Sequence, residues 1–383
     1  MTTPHYQDQG VTLYHGDCIE VMRSFPDSSV HAVVTDPPYG LEFMGRGWDG
    51  ADGFRRSLNA ADAGRENVFG RASRTSPEYK AGELFGEWCA EWALEAHRVL
   101  KPGGHMLAFG GSRTWHRLAV GIEEAGFELR DSIAWLYGSG FPKSHNLDGD
   151  WEGWGTALKP AFEPIVVARK PFVGTVATNV IAHGTGAINV DATRVGTTGG
   201  TRPVAGATPN RLNAVYGEGM GGLKSEAAGG RWPTNVLLDE RQAADLDVQT
   251  GVTQSRVGKP RGAGSGDGWG MTKTGAEYDD AGGSSRFFPT FHYEAKAPGT
   301  ERPDVDGVLH PTVKPLDLMR WLVRLVASPG AVILEPFAGS GTTLEACLLE
   351  GFDVIGIERE ETYLPLIMQR IRKPLVPSLF GDF

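Results

Sequence analysis

Residues 33–40 read VVTDPPYG, a β-branched run that ends in Asp36, Pro37, Pro38 and Tyr39. Proline has no backbone donor and a fixed φ, and it biases the preceding residue away from helix, so the chain leaves its strand stretched and stiff. A carboxylate, a rigid carbonyl-bearing backbone and an aromatic ring at the end of a buried strand form a candidate site. Far along the chain, AVILEPFAGSGTTLEA puts Gly339 and Gly341 between a strand pattern and a helical one. Residues without Cβ let backbone N–H groups approach a ligand and leave the helix amino end facing it, which implies a nucleotide-like ligand. A phosphate-cradling loop needs Gly-Lys-Ser/Thr where this chain has Gly341, Thr342 and Thr343, and a dinucleotide fingerprint needs glycine at Leu344. A small nucleoside cofactor without a pyrophosphate remains. Glu358 ends the next strand, DVIGIE, about 20 residues beyond the glycines, where an acid can accept both ribose hydroxyls.

The elements that must position these residues alternate. Strands are expected near 11–14, 30–35, 104–109, 129–137 and 164–169, with helices near 18–25, 81–99 and 113–125. The 81–99 helix is followed by Lys101-Pro102-Gly103-Gly104, a clear stop. After 310, HPTVKP leads into the helix LDLMRWLVRLVA, the strand AVILE, the glycine turn, the helix TTLEACLLE, the strand DVIGIE and a last helix near 360–372. Such alternation predicts an α/β fold, a doubly wound and mostly parallel sheet with helices on both faces.

Between about 174 and 305 the texture changes. The 53 glycines of the 383 residues are roughly twice the usual 7% share, and they concentrate here and in the loop after Tyr39. Strand-like islands stand at AINV, PTNVLL and PTFHYEA, and the rest reads as loop. Loops of that length are normally functional or disordered, and a segment that orders on a partner is both.

The net charge of −10 disfavours a polyanionic partner for the molecule as a whole. Basic residues nevertheless gather in acid-poor stretches at 194–213 and 255–264, leaving room for a basic face. Cys18, Cys89 and Cys347 stand far apart, which argues against disulfides and a cysteine-ligated zinc and for buried thiols. No apolar run approaches the roughly 20 residues of a membrane span, and MTTPHYQDQG has neither the basic region nor the apolar core of a secretion signal, which points to a cytoplasmic address.

Taken together, YHGDCIEVM, TDPPYG, HPTVKP and EPFAGSGTT resemble the circularly permuted (β-group) amino-methyltransferases that act on DNA with S-adenosylmethionine. The phrases FMGRGWDG, GSGFPKSHN, KPAFEPIVVARKP and GAINVDATRV resemble phage and prophage adenine methylases. Motif order carries the distinction from methyltransferases of RNA bases and protein glutamine, because the catalytic turn comes first here and the cofactor turn last. The resemblance covers roughly residues 10–170 and 308–372. Two departures are Glu335, where the family usually has Asp, and the long segment after Tyr39.

The resemblance implies a Rossmann-like methyltransferase domain in two halves, 1–173 with the catalytic turn and 306–383 with the cofactor turn, separated by a glycine-rich target-recognition insertion at 174–305. It implies that strand 11–14 lies parallel to strand 353–357, bringing Asp17 and Cys18 to the cofactor's adenine. His310, Thr312 and Lys314 are expected over its methionine end, and Glu335, Phe337, Ala338, Gly339, Ser340, Gly341, Thr342 and Glu358 around the rest. Double-stranded DNA is the implied partner, with Arg194, Arg202, Arg211, Arg256, Lys259 and Arg261 as candidate contacts to phosphates or guanine edges. A homodimer is compatible with the resemblance.

The chemistry follows from the acceptor. An adenine amine is a poor nucleophile because its lone pair is delocalised into the ring. Acceptors on both amine hydrogens, the Asp36 carboxylate and the Pro37 carbonyl, pull the nitrogen toward tetrahedral geometry. A carboxylic acid of ordinary pKa, about 4, is too weak to deprotonate that amine beforehand, so Asp36 is expected to position it and stabilise the developing charge. Tyr39 offers a face on which a base flipped out of the duplex can stack, and no metal is needed. Phe43, Trp48, Trp135 and Tyr137 follow strand ends nearby. Asp at the first position of the turn favours adenine N6 by resemblance; cytosine N4, another methyl acceptor and a DNA-binding regulator without chemistry stay as alternatives.

Overall fold

A computed structural model describes residues 3–8, 10–41, 49–50, 53–55, 57–58, 77–138, 140, 144–196, 201–203, 225–227, 229–255, 280–291 and 302–373. The chain divides into two compact units, Met1–Asn189 with Phe291–Leu379, and Val190–Thr290 with Phe380–Phe383. The sequence sets the corresponding limits at 174 and 305.

The first unit is built on a sheet of β1 (Tyr6–Asp8), β2 (Val11–His15), β3 (Val30–Thr35), β4 (Leu100–Phe109), β5 (Glu128–Leu136), β6 (Phe162–Arg169), β7 (Val332–Glu335) and β8 (Asp353–Glu358). Across it the order is β1-β2-β8-β7-β3-β4-β6-β5. The five strands from β2 to β4 are parallel, while β1 is antiparallel to β2 and β6 is antiparallel to both β4 and β5. The early strand β2 pairs with β8 in register, Leu13 opposite Gly356 and His15 opposite Glu358, as permutation requires.

Both faces of the parallel strands are buried, so β3 reads as an almost unbroken apolar run. On one face α1 (Cys18–Arg23), α2 (Pro77–Val99) and α3 (Trp115–Glu124) pack on Val33, Met106, Val166, Leu334 and Ile357. Trp88 and Trp92 of α2 form an aromatic cluster with Phe54, Phe85 and Phe337. A second set, α5 (Leu316–Val326), α6 (Thr342–Leu349) and α7 (Leu364–Ile371), follows the HPTVKP segment and frames β7 and β8. All seven residues Leu318, Met319, Trp321, Leu322, Val323, Leu325 and Val326 of α5 are buried. Chain connections diverge on either side of the β7–β3 pair, one leading to β8 and the other to β4. In open parallel sheets such a switch point opens a crevice beyond the carboxyl ends of the strands.

Two readings of the middle segment need correction. The stretch after 174 opens with a helix, α4 (Val176–His183), rather than a loop; Thr175 and Thr178 form a capping box and Gly184 ends it at φ +70°. Glu and Gln are the usual third-position partners of such a box, so Thr178 hid the signal. AINV is not a strand; it leads into a single 3-10 turn, Asp191–Thr193. In the second unit, PTNVLL does yield the strand Val236–Asp239, and Asp239 then caps the helix Glu240–Thr250 by accepting from the Gln242 N–H at 2.6 Å. A charged knot ties that unit's described residues: Arg231 meets Asp280 at 2.7 Å, and Ser255 donates to the same carboxylate at 2.6 Å. Hydrogen bonds from Arg231 and Ser255 hold Asp280 well below the usual carboxylate range. Among the described residues no helix is long and apolar enough to cross a membrane.

Candidate active site

The carboxyl ends of β3, β7 and β8 open into one cavity of about 430 Å³, within the usual range for small-ligand sites. Asp17 and Cys18, the 36–39 turn, residues 310–314, the glycine turn and Glu358 all line it.

The 36–39 turn is held from three sides. Thr35, fully buried at the end of β3, donates to Glu335 Oε1 at 2.5 Å. Thr114, at the start of α3, gives its hydroxyl to the Tyr39 carbonyl at 2.6 Å instead of capping its own helix. Buried Asp49 accepts from the Gly40 and Leu41 N–H groups at 2.6 and 3.3 Å. Pro37 is buried, and Asp36 is left partly accessible at the cavity wall.

Asp36 is already engaged. Its Oδ1 accepts from the Tyr39 hydroxyl at 2.9 Å and its Oδ2 from Lys314 Nζ at 2.5 Å. Glu163, which enters β6, completes the group at 3.0 Å from the Tyr39 hydroxyl and 3.4 Å from Lys314 Nζ. Burial pushes the Tyr39 hydroxyl and Glu163 upward, and the Asp36 charge adds to both. For Lys314 burial works against the charge, but the two carboxylates outweigh it and the net shift is upward. The ammonium therefore stays charged across the neutral range.

On the cofactor side, Glu335 accepts from Thr35, from Thr343 at 2.6 Å and from the Phe337 N–H at 3.0 Å. Burial still pushes it up to about 8. The glycine turn has the positive φ its composition implies, but the Gly339 N–H is bonded to Glu358 and the Gly341 N–H to the Ala338 carbonyl at 2.7 Å rather than left open to a ligand. Gly339 and Gly341 adopt φ +53° and +81°, and a Cβ on Gly339 would meet the His310 ring at 3.1 Å. Ala338 donates to the Ile357 carbonyl, Phe337 packs on Trp88 and Trp92, and Ser340 and Thr342 share a hydroxyl contact at 3.1 Å. Glu358 accepts from the Gly339 N–H at 2.7 Å and the Glu360 N–H at 2.8 Å, and burial raises it to about 7.

Asp17 caps α1 through the Ile19 N–H at 2.9 Å and also accepts from Ser57 at 2.6 Å; the Cys18 thiol beside it is buried and pushed far up. His310 and Thr312 line the cavity, with the imidazole bonded to the Thr312 backbone and set edge-on to Tyr363. Trp135 and Tyr137, expected near the pocket, are buried and form part of its wall.

The candidate DNA contacts are described only in part. Arg194 is bound to Asp191 at 2.8 Å and to the Gly230 carbonyl at 3.2 Å, with its side chain 5% exposed. Arg202 lies in a short strand, Thr201–Pro203, paired with Ser225–Ala227. Arg211, Arg256, Lys259 and Arg261, like Phe43 and Trp48, fall outside the described residues.

Glu163 and Arg302 stand outside the expected site residues, and so does the contact that Lys314 makes. Glu163 had one available signal, an acid set between Phe162 and Pro164 at the mouth of an apolar strand. The pairing of Lys314 with Asp36 had none. Arg302 lines the cavity with its Nε buried, and among the described residues it has no hydrogen-bond partner.

The fit to a nucleoside cofactor rests on this donor set: a glycine turn whose backbone approaches the cavity, a buried acid at the next strand end, and a cavity wall of matching size. Comparison with known proteins agrees. The profile of the N6_N4_Mtase family, described as DNA methylase, matches residues 30–369. The Type II methyltransferase M.HindIII of Haemophilus influenzae is 24% identical over 386 residues, 94% of each chain. The DNA adenine methyltransferase YhdJ of Escherichia coli is 22% identical over 366 residues, covering 96% of this chain and 84% of that one. Among solved structures, the PvuII DNA methyltransferase, described as cytosine-N4-specific, has the same fold at a TM-score of 0.50 and 15% identity, covering 98% of this chain and 91% of its own. With its permuted sheet and both turns on one cavity, the chain belongs to the N6/N4 family of S-adenosylmethionine-dependent DNA methylases.

Proposed function

We propose that the chain methylates the exocyclic N6 amine of adenine in double-stranded DNA, acting on a base turned out of the helix into the cavity. The observation that carries this reading is the shared cavity of the Asp36–Tyr39 turn and the Gly339–Gly341 turn, with an acid at the first position of the catalytic turn. S-adenosylmethionine, when bound, supplies a methyl group on a sulfonium centre, whose departure leaves the electron pair on a neutral thioether.

The chain's own residues do the rest. Glu358 accepts the ribose hydroxyls, Asp17 and the start of α1 meet the cofactor's adenine, and His310 with Thr312 covers the methionine end. Arg302 is the cation suited to the cofactor's carboxylate, since it lines the cavity and its buried Nε has no hydrogen-bond partner among the described residues. Asp36 and the Pro37 carbonyl accept the two amine hydrogens, and Tyr39 stacks on the base. The residues 174–305 supply target recognition, and the reaction takes place on intracellular DNA.

Cytosine N4 is the rival acceptor, favoured by the PvuII enzyme's description and disfavoured by Asp36. Plasmid from a methylation-deficient host expressing the chain decides between them after hydrolysis to nucleosides and mass spectrometry. N6-methyldeoxyadenosine is expected; N4-methyldeoxycytidine would establish the rival, and neither would overturn the assignment.

A further inference from the structure

Lys314 Nζ stands 2.5 Å from Asp36 Oδ2, 3.2 Å from the Tyr39 hydroxyl and 3.4 Å from Glu163 Oε2. An ammonium has three protons and no acceptor, so this one, on a side chain 9% exposed, directs all three into the same group. The Tyr39 hydroxyl is within hydrogen-bond reach of both carboxylates, at 2.9 Å from Asp36 and 3.0 Å from Glu163. A single hydroxyl proton serves one of them, so the second contact requires a proton on an acid. Glu163 is the acid suited to hold it, because burial and the neighbouring Asp36 charge raise it against the pull of Lys314.

This resting arrangement opposes the reaction. A base amine bound to Asp36 gains positive charge as it is methylated, and an ammonium on the same carboxylate repels that charge. With Glu163 neutral, Asp36 and Lys314 cancel and nothing balances a further cation. With Glu163 ionised, the four side chains sum to one negative charge, and the ammonium has a second carboxylate within a side-chain adjustment of its present position.

We propose that Glu163 is a positioning residue that takes over the Lys314 ammonium when the target amine binds, freeing Asp36 for the amine and leaving one negative charge to balance the developing cation. Glu163 gives its proton to solvent as the base is seated. Among the described residues, the charged or titratable groups set against Glu163 are Asp36 and Tyr39 from the 36–39 turn and Lys314 from the HPTVKP segment. The inference rests on the methyl transfer proposed above.

The test compares Glu163→Gln, Glu163→Asp, Lys314→Met and the Glu163→Gln/Lys314→Met pair. Methyl transfer from labelled S-adenosylmethionine to unmethylated plasmid is followed in single turnovers between pH 5.5 and 9, with S-adenosylhomocysteine affinity by calorimetry. Glu163→Gln should slow transfer by about 10²-fold and flatten the acidic limb of its pH profile, with S-adenosylhomocysteine affinity held within about threefold. Glu163→Asp should recover most of the rate. In the Lys314→Met background there is no ammonium to receive, so the Gln substitution should cost less than about threefold. An equal loss in both backgrounds, or a fall in S-adenosylhomocysteine affinity parallel to the rate, would overturn the hand-over. A wild-type chain that binds S-adenosylhomocysteine but methylates no DNA would overturn the functional reading instead, and the inference with it.

Discussion

Thr35 donates its hydroxyl to Glu335 Oε1 at 2.5 Å across 300 residues of sequence, joining the end of β3 to the end of β7. Thr343 and the Phe337 N–H converge on the same carboxylate. One buried acid thus sets the relative position of the two turns that must cooperate. Burial raises it from 4.5 to about 8, so the folded chain favours its protonated form. The sign follows: stability from this group is full below the unfolded value and is lost as pH rises toward 8. The unfolding free energy of the wild-type chain, measured by urea titration, should fall between pH 5 and 9 by an amount on the order of a few kcal/mol, and Glu335→Gln should remove the part of that fall that Glu335 carries, Glu358 supplying the rest.

Asp36→Asn keeps the shape of the side chain and removes its charge. Transfer should drop by about 10²–10³-fold, as for loss of one preorganised electrostatic partner. Calorimetry should find S-adenosylhomocysteine affinity nearly unchanged, because the role proposed for Asp36 is to hold the target amine.

Cofactor affinity should itself depend on pH. Glu358, raised to about 7 by burial and proposed to accept the ribose hydroxyls, would do so best when ionised, so affinity for S-adenosylhomocysteine should strengthen from pH 6 to 8 by up to about tenfold. Glu358→Gln should bind more weakly at pH 8 and show a flat profile over the same range.

Arg302→Ala distinguishes the ends of the cofactor. S-adenosylhomocysteine should lose about tenfold or more in affinity, as for a charge-assisted hydrogen bond. Methylthioadenosine, which has no carboxylate, should bind as it does to the wild type. Equal losses for both ligands would place Arg302 in the structure of the wall.

Removal of residues 195–285 should abolish DNA methylation while S-adenosylhomocysteine still binds. Retention of the same site preference in the shortened chain would remove that segment from target recognition.

Much of the first unit is legible in the sequence because its strands are buried on both faces and end in residues of restricted backbone freedom. Pro37 and Pro38 mark the exit from β3, and Gly339 and Gly341 the exit from β7. Which strands lie side by side is another matter: the pairing of β2 with β8 follows from resemblance alone, since periodicity within a strand does not name its neighbour. The Asp36–Lys314–Glu163 group is hidden for the same reason, its members being far apart in sequence. The bond from the Thr114 hydroxyl to the Tyr39 carbonyl is hidden likewise, since it joins residues 75 apart in sequence. In the middle segment Asp239 and Gly251 bracket a regular helix, but they stand among so many other glycines and acids that these boundary residues do not stand out.

The pairing of β2 also governs how this enzyme is made. Its other edge carries only the short β1, so during translation β2 waits for a partner that the ribosome has yet to produce. An open strand edge is a template for another chain, and pairing of remote segments is the slow part of folding. Nascent polypeptides on one message thus pass through an adhesive stage that closes only when β8 has left the exit tunnel, and yield in an expression host should improve with faster elongation.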